Sequence, residues 1–415
     1  MNSRQVTGTK QRSGRHWRII EGGVTAPEGY LAAGVPAGLK KKGLDLAVVC
    51  SSQPASAAGV FTRNQVQAAP VVLSRDNLKH SRGRARAVLI NSGCANACTG
   101  DRGMQDSVLC AQCLASHLEV DPDRILLAST GVIGRFLPVK KMLKGISTAV
   151  SSLNSQGGSA AAQAIMTTDT REKSFAVESR IDGKTVRIGG MAKGAGMIHP
   201  NMATMLSTVT TDIRIAPGPL HAALCSVVDR TFNCLTVDGD SSTNDTVFIL
   251  ANGASQVAAT DGRTAAFFQQ GLEMLCGELA QSIARDGEGA TKFVEVLVRG
   301  ARDFHSARTV AKAIANSSLV KTALYGEEFN WGRILCAAGY SGVAFSPSRI
   351  ALSLNGIPVF RDGAPVSSTL KRAEREMKAH DLLIEVDLGT GSRQARVWTC
   401  DLSHEYVDIN GSYIT

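Results

Sequence analysis

The central stretch of the chain reads Lys193-Gly194-Ala195-Gly196-Met197-Ile198-His199-Pro200-Asn201-Met202-Ala203-Thr204-Met205-Leu206. It joins a glycine-rich segment to the strand-like run Ser207-Thr208-Val209-Thr210-Thr211. Its apolar residues follow neither the period of an amphipathic helix nor that of a strand. Packing alone therefore does not account for the stretch, and the sequence favours a chemical role for at least one of its residues.

The bond between Ala203 and Thr204 is the chemical feature of this stretch. A threonine hydroxyl held against its preceding carbonyl can attack it, convert the amide to an ester, and let water free a chain that begins with Thr204. The freed α-amine has an unperturbed pKa of about 7.7–8.0, so it can accept the hydroxyl proton near neutral pH. The alternative is a loop in which the glycines permit a tight turn and Thr204 starts a strand. Local sequence leaves both interpretations open.

The composition is that of an ordinary globular protein. A chain of 415 residues, with 44% hydrophobic and 20% charged residues, has room for two or three domains with a large shared core. No apolar run approaches the roughly 18 residues of a membrane span, and the first thirty residues hold no hydrophobic block suited to secretion. We therefore expect a cytoplasmic protein without a membrane partner.

The positive charge is concentrated at the beginning of the chain. The sequence up to Lys42 holds eight basic and two acidic residues, so it carries most of the net charge of +9. The remainder has no basic patch interleaved with aromatic residues, which argues against a nucleic-acid partner. We expect a solvated basic tail, with an organellar targeting remnant as the alternative for the first fifteen residues.

The ten cysteines do not form a disulfide framework, since most of them lie inside apolar segments, as expected for buried thiols in a reducing compartment. Cys110 and Cys113 form a C-x-x-C motif on the apolar face of a predicted helix. A zinc site would need two further ligands, and His117 alone does not supply them. The sequence therefore predicts core packing and no metal site.

Short apolar runs alternate with helical patterns along the whole chain, without an internal repeat or a linker. We predict strands at 44–50, 59–62, 87–90, 125–128, 175–177, 186–188, 205–211, 234–237, 247–251, 293–298, 350–354, 357–360, 382–386 and 395–399. We predict helices at 104–118, 160–166, 220–232, 264–284, 307–315 and 370–380. This mixture favours an α/β (α+β) fold, a layered sandwich of stacked β-sheets flanked by helices.

Ser129-Thr130-Gly131 follows the predicted strand at 125–128. A hydroxyl and an unencumbered backbone N–H at a strand end could stabilise a developing oxyanion, and such donors are often worth a few kcal/mol of barrier. Thr130 could equally cap a helix that begins there. Both interpretations are compatible with the local sequence.

Further polar segments stand at element ends. Lys193, among glycines, is either solvated surface or the ligand of a substrate carboxylate. The loop 238–246 holds three acidic residues, but it lacks the later glutamate of a calcium loop, which favours a structured polar turn over a cation site. The segment 285–292 has the composition of a helix stop.

The apolar C-terminal tail, 406–415, is predicted to dock on the fold, in contrast to most tails.

Taken in order, the motifs resemble the ornithine acetyltransferase family, the bifunctional glutamate N-acetyltransferases of arginine biosynthesis. They are Ser-Thr-Gly-Val-Ile-Gly (129–134), Met-Thr-Thr-Asp-Thr (166–170), Lys-Gly-Ala-Gly-Met-Ile (193–198), Asn-Met-Ala-Thr-Met-Leu (201–206), Asp-Gly-Glu-Gly-Ala-Thr-Lys (286–292), Asn-Trp-Gly-Arg (330–333) and the Asn-Gly-x-Tyr ending (410–413). The match runs nearly end to end. The resemblance implies a self-cleaving fold of the N-terminal-nucleophile type, cut between Ala203 and Thr204.

Position by position, the resemblance implies Thr204 as the nucleophile and Thr130 with Gly131 as the oxyanion hole. The implied substrate-contact positions are Thr167, Lys193, Thr204, Glu288, Asn410 and Thr415. Residues 1–203 would form an α chain and residues 204–415 a β chain, which stay associated as an α2β2 heterotetramer. The resemblance implies no metal or organic cofactor, and it gives His199 no catalytic role.

The implied reaction moves an acetyl group from N2-acetylornithine to L-glutamate through an acetyl-threonine intermediate, with ping-pong kinetics. The resemblance leaves open whether acetyl-CoA is a second acetyl donor. Two other functions compete with this one. A self-processing hydrolase, such as an aminopeptidase, would pass the acyl group to water, and a binding module would instead use the basic N-terminal arm.

Overall fold

The computed structural model describes residues 16–199 and 205–412. Its larger sheet has nine strands in the order β1-β6-β7-β8-β9-β3-β4-β5, with β2 paired to β3. The strands are β1 (Arg18–Ile20), β2 (Tyr30–Val35), β3 (Leu46–Phe61), β4 (Arg84–Asn91), β5 (Ile125–Ser129), β6 (Lys173–Ile181), β7 (Lys184–Lys193), β8 (Leu206–Thr211) and β9 (Thr246–Ala251).

The smaller sheet is built entirely from the last third of the chain. Its six strands follow the order β13-β12-β11-β14-β10-β15. They are β10 (Phe293–Ala301), β11 (Ala351–Leu354), β12 (Ile357–Arg361), β13 (Ala364–Pro365), β14 (Asp381–Asp387) and β15 (Arg393–Cys400).

Eleven α-helices connect and cover these strands in the described ranges. They are α1 (Ala69–His80), α2 (Gly100–Leu118), α3 (Val139–Ser151), α4 (Gly158–Ala164), α5 (Pro217–Arg230), α6 (Gly262–Arg285), α7 (Phe304–Asn316), α8 (Ser318–Tyr325), α9 (Trp331–Gly339), α10 (Leu370–Glu376) and α11 (His404–Ser412). The longest, α6, begins at Gly262 and is capped by Asp261, whose carboxylate accepts a hydrogen bond from the backbone N–H of Thr264.

The larger sheet folds back on itself as two stacked layers because the long strand β3 bends. Its pairing with β4 shifts register between Cys50 and Ala55, and the bend exposes the residues 52–54. One apolar core lies between the layers and combines Val49 and Val88 with Leu206 and Phe248. This architecture agrees with the predicted sandwich of stacked sheets.

Helices cover the outer faces of both layers. Met142 of α3 and Leu114 of α2 pack on the layer that contains β4 and β5. On the other side, α5 and α6 pack on the layer of β6 to β9, and the same core continues to Val294 of the smaller sheet. Helix α6 therefore lies between the two sheets, and burial of its apolar face joins them into one body.

The strand ends meet at one edge of the stacked layers. Lys193, the last residue of β7, pairs with Leu206, the first residue of β8. Leu206 pairs in turn with Thr246, where β9 begins. On the other layer, β4 and β5 run parallel and end at Asn91 and Ser129. The two layers thus bring several polar segments of the sequence to one edge.

Three predictions about elements need correction. The predicted strands 44–50 and 59–62 are parts of the single strand β3, whose bend carries the polar residues between them. Residues 234–237 form no strand; Cys234 ends a 3-10 helix, and the backbone N–H of Thr236 donates to the carbonyl of Trp398. The helix predicted at 370–380 ends at Glu376.

The beginning of the described chain belongs to the fold. The indole N–H of Trp17 donates to the carbonyl of Phe267 over 2.8 Å, and β1 pairs with β6. The basic residues Arg4, Lys10, Arg12 and Arg15 lie outside the described residues. Among the helices of the described ranges, none combines the length and the apolarity that crossing a membrane requires.

Candidate active site

A cavity of about 140 Å³ opens at the edge where the strand ends meet. Its walls come from both layers of the larger sheet, from the loop after α6, and from the C-terminal helix α11. Six of the nine predicted site positions line it: Thr130, Gly131, Thr167, Lys193, Glu288 and Asn410. The other three, Ala203, Thr204 and Thr415, lie outside the described residues.

Thr130 and Gly131 directly follow β5. The backbone N–H of Thr130 donates to the carbonyl of Asn91 over 3.0 Å, so the β4 end fixes the start of the turn. Gly131 has a φ of +123°, and a Cβ there would lie 2.5 Å from the carbonyl carbon of Gly93. Only glycine fits this approach of two backbones. The next helix, α3, begins at Val139, so Thr130 is not a helix cap.

Lys193 is buried, although a lysine among glycines is usually solvated surface. Its residue exposure is 4%, and its Nζ lies 4.0 Å from a carboxylate oxygen of Asp169. Burial lowers the pKa of Lys193, while the carboxylate of Asp169 acts in the opposite direction and favours the charged form. A buried ammonium at the wall of a cavity can bind a carboxylate of a substrate.

Glu288 and Asn410 form another part of the cavity wall. The backbone N–H of Glu288 donates to the carbonyl of Ala195 over 2.9 Å, and Asn410 Nδ2 donates to Glu288 Oε2 over 2.7 Å. A Cβ at Gly196 would lie 2.1 Å from that same Oε2. Gly196 is therefore needed because the carboxylate of Glu288 lies directly against its backbone. This contact explains one glycine of the central stretch.

Asp238 holds the central stretch from the other side. Its carboxylate accepts the backbone N–H groups of Met197 at 2.6 Å and Ile198 at 2.8 Å, and it accepts the hydroxyl of Tyr406 at 3.2 Å. Burial raises the pKa of Asp238, against the effect of these backbone donors. The loop 238–246 is thus a structured polar turn. Among the described residues, no three His, Cys, Asp or Glu side chains converge as metal ligands.

Asn244 and Asp245 connect this loop with β9. The amide of Asn244 donates to the carbonyls of Ala95 and Ser129, at 2.7 and 2.8 Å. Asp245 is 2% exposed, and the backbone N–H of Met205 and the charge of Lys193 only partly offset the cost of burying its carboxylate. Burial therefore raises its pKa well above the usual range. A buried acid of this kind next to a cavity is typical of functional sites.

His199 lies at the end of the described part of the central stretch. Its Nδ1 lies 3.1 Å from both Thr236 Oγ1 and Asn316 Nδ2. Burial and the positive charge of Lys312 lower its pKa to about 4, so the imidazole is neutral at neutral pH. The absence of a catalytic role for His199 stays a prediction.

Sequence reasoning did not single out Asp169, Asp238, Asn244, Asp245 or Tyr406. A signal existed for four of them, because Asp169 stands in a polar cluster after a helix and Asp238, Asn244 and Asp245 stand in the polar loop before β9. Their partners are too distant in sequence to be deduced from spacing.

Comparisons with known proteins identify the family. Residues 31–415 match the model of the ArgJ family. A relative from Thermosynechococcus vestitus, the arginine biosynthesis bifunctional protein ArgJ, is 47% identical over 96% of this chain and 100% of its own length. The protein of the same name from Symbiobacterium thermophilum is 47% identical over 95% of this chain and 99% of its own length.

Among solved structures, ornithine acetyltransferase from Mycobacterium tuberculosis, in complex with ornithine, is 46% identical with a TM-score of 0.42. It matches 45% of this chain and 99% of that chain. The resemblance inferred from the motifs is confirmed by the family match and by the two bifunctional proteins from Thermosynechococcus vestitus and Symbiobacterium thermophilum. The chain belongs to the ArgJ family.

Proposed function

We propose that the protein transfers an acetyl group from N2-acetylornithine to L-glutamate through an acetyl ester on Thr204. As a member of the ArgJ family the chain is an enzyme, and its relatives are named arginine biosynthesis bifunctional proteins. The proposal is carried by one observation: Thr130, Lys193 and Glu288 all line the same cavity, beside the strand that begins at Leu206.

The charges of the cavity complement those of acetylornithine. This substrate carries one carboxylate and one side-chain ammonium group. Lys193 provides a buried ammonium for the carboxylate, and Glu288 provides a carboxylate for the ammonium. Asn410, bonded to Glu288, holds that carboxylate in place. A substrate bound between the two charges would present its acetyl group inside the cavity.

In the first half-reaction, the hydroxyl oxygen of Thr204 attacks the acetyl carbonyl carbon, and the α-amine of Thr204 takes the hydroxyl proton. The carbonyl oxygen becomes an oxyanion, for which Thr130 and Gly131 supply donors at the end of β5. Collapse of this intermediate breaks the carbon–nitrogen bond. The leaving α-amine receives the proton, so that ornithine departs and an acetyl ester remains on Thr204.

The second half-reaction reverses these steps with another amine. The neutral α-amine of glutamate attacks the acetyl ester, and its surplus proton passes to the α-amine of Thr204. The ester bond breaks, and the oxygen of Thr204 recovers the proton. The products are N-acetylglutamate and free enzyme. Because one product leaves before the second substrate reacts, the kinetics are ping-pong.

Cleavage of the chain precedes this chemistry. The hydroxyl of Thr204 adds to the carbonyl of Ala203, and the peptide C–N bond breaks to give an ester and to free the α-amine of Thr204. Water then hydrolyses the ester to the carboxylate of Ala203 and the free hydroxyl of Thr204. Strand pairing supports lasting association of the two chains. Strands β8 and β9, from residues after Thr204, lie between β7 and β3, from residues before Ala203. We propose an α2β2 assembly of these chains.

A second acetyl donor is also proposed, because the relatives are named bifunctional proteins. Acetyl-CoA would form the same acetyl ester on Thr204, with the thiol of coenzyme A as the leaving group. The proposal assigns no metal and no bound organic cofactor to the reaction. The acetyl group would be carried by the protein itself between the two substrates.

Acceptor dependence tests the proposed function. Purified protein is incubated with acetylornithine whose acetyl group is isotopically labelled, with and without glutamate, and the labelled products are quantified. Transfer of label to N-acetylglutamate, with little acetate when glutamate is present, is the expected result. Rapid release of acetate regardless of glutamate would favour the self-processing hydrolase and contradict the transferase.

A further inference from the structure

A cluster of buried ionic groups lies behind the cavity. It consists of Asp169, Lys173, Lys193 and Asp286, whose side chains are all 5% exposed or less. Charges are rarely buried to this extent unless they are paired. Only Lys193 of the four lines the cavity. The other three therefore need an explanation beyond direct contact with a substrate.

Asp169 contacts three parts of the site at once. Its Oδ1 accepts hydrogen bonds from Lys173 Nζ and from the backbone N–H of Gly194, each over 2.7 Å. Its Oδ2 accepts the backbone N–H of Thr167 over 3.0 Å and lies 4.0 Å from Lys193 Nζ. One carboxylate thus connects two cavity-lining residues with the first glycine of the central stretch.

Lys173 fixes this carboxylate from outside the cavity. Its Nζ lies between Asp169 and Asp286, with 2.5 Å to the nearer oxygen of Asp286. Asp286 also accepts hydrogen bonds from the backbone and the hydroxyl of Thr170. Because Lys173 begins β6 and Asp286 follows α6, the carboxylate of Asp169 is anchored to the two elements that pack against each other.

We infer that Asp169 is a positioning residue, whose anchored carboxylate holds the ammonium of Lys193 in place and in its charged form at the wall of the cavity. The inference rests on the proposed function, in which Lys193 binds the carboxylate of the substrate. It deepens that proposal because it assigns the orientation and the charge of Lys193 to a residue that does not line the cavity.

The charged groups around Lys193 determine in which direction its pKa changes when one of them is removed. Asp169 from the loop after α4, Glu288 from the loop after α6 and Asp245 from the start of β9 favour the ammonium form. Lys173 disfavours it, as a like charge. Lys40, from the loop before β3, also interacts electrostatically with Lys193. Burial lowers the pKa of Lys193, and among the groups that oppose this effect the carboxylate of Asp169 acts most strongly.

Two substitutions should shift the pH dependence in opposite directions. Asp169→Asn removes the negative charge, so Lys193 should lose its proton at a lower pH. Lys173→Met removes the like charge, so Lys193 should keep its proton to a higher pH. The KM for acetylornithine is measured from about pH 6 to about pH 10 for both variants and the wild type. The titration of the substrate is common to all of them and cancels in the comparison.

For Asp169→Asn we expect a KM at neutral pH that is higher by about tenfold or more, with a smaller change in kcat. The alkaline rise of KM should begin about one pH unit lower than in the wild type. For Lys173→Met the KM at neutral pH should also rise, because the carboxylate of Asp169 loses its anchor. The alkaline rise of KM should move to higher pH, because the like charge beside Lys193 is gone. Glu172→Gln is the matched control, because its exposed carboxylate contacts Ser159 and Gln163 and should leave KM and its pH profile unchanged.

The readouts separate positioning from mere stability, because neither KM nor its pH profile depends on the folded fraction. Profiles of both variants that coincide with the wild type would overturn the inference, even if the melting temperature falls. If Asp169→Asn yields no folded protein, Lys173→Met decides alone. The inference would then be overturned if KM of this variant began to rise at the same pH as in the wild type, or at a lower pH. A wild-type protein without acetyl transfer would instead contradict the proposed function.

Discussion

The two sides of the cavity are held in place by different kinds of interaction. The strand side (Thr130, Gly131 and Lys193) stands at the ends of buried strands, and its Lys193 belongs to the ionic cluster around Asp169. The tail side (Tyr406 and Asn410) lies on α11, in which none of the nine residues from His404 to Ser412 is buried.

This difference separates the requirements of chemistry from those of binding. Groups that stabilise a developing charge must be fixed before the reaction, and the strand side offers such fixed groups. The tail side is attached through hydrogen bonds, such as that of Tyr406 to Asp238 and that of Asn410 to Glu288. We therefore expect variants of the oxyanion donors Thr130 and Gly131 on the strand side to lower kcat. Variants of the tail side, like those that perturb the substrate-binding Lys193, should raise KM.

The largest effect in this comparison is expected for Thr130→Ala. If Thr130 donates to the oxyanion, its loss should lower kcat by about 10²- to 10³-fold, with a smaller change in KM. Steady-state kinetics with acetylornithine and glutamate, on protein whose chain cleavage has been verified, measure this directly. Thr148→Ala, on the exposed surface of α3, is the matched control and should behave like the wild type. If kcat of the Thr130 variant stayed close to that of the wild type, the assignment of Thr130 as a donor to the oxyanion would be wrong.

A smaller effect is expected for Asn410→Ala on the tail side. The substitution removes the 2.7 Å hydrogen bond to Glu288, so the carboxylate loses a fixed orientation. Hydrogen bonds to charged groups contribute roughly 1.5 kcal/mol, so KM for acetylornithine should rise by about tenfold while kcat changes little. Ser412→Ala, on the same helix, is the control. Equal losses in kcat for the Thr130 and Asn410 variants would show that the two sides do not differ as described.

The smallest effect is expected for His199→Ala, because His199 belongs neither to the strand side nor to the tail side of the cavity. The pKa of His199 is lowered to about 4, and its ring nitrogen faces Thr236 and Asn316. Chain cleavage and turnover should stay within about threefold of the wild type, whereas loss of a general base typically costs 10²- to 10⁴-fold. Mass spectrometry and kinetics at neutral pH give both values. A loss of several orders of magnitude would make His199 a catalytic residue.

Part of this site could be predicted because its residues follow recognisable signals. Thr130 stands after a buried apolar run, and Lys193 stands where a predicted strand enters a glycine-rich segment. Strand ends gather at the edge of a sheet, so their proximity follows once the strands are known. The tail was expected to dock because it stays apolar. Its described part does contact the fold, but through the hydrogen bonds of Tyr406 and Asn410, while Val407 is 64% exposed.

Other features depend on contacts that leave no local trace. The strand β3 continues through the exposed residues 52–54 because the bend places them on the surface while both arms pair with neighbours. Residues 234–237 have the composition of a strand, but their pairing is limited to an isolated bridge between Leu235 and Trp398. In both cases tertiary partners override the local pattern.

The ionic cluster around Asp169 is the clearest example of missing sequence information. Asp169 and Lys173 are four residues apart, which in a helix would place them together, yet Lys173 begins a strand. Asp286 lies 113 residues further along the chain. Only the packing of α6 against β6 brings these groups together, so the burial of Lys193 could not be deduced from its glycine-rich neighbours.

The central claim is that the chain is cut between Ala203 and Thr204 by Thr204 itself, which then carries the acetyl group. The intact mass of the purified protein under denaturing conditions tests it most directly. We predict two fragments that correspond to residues 1–203 and 204–415, and a single uncut chain for the Thr204→Ala variant. A wild-type protein that stays in one piece and still transfers acetyl groups would contradict the account.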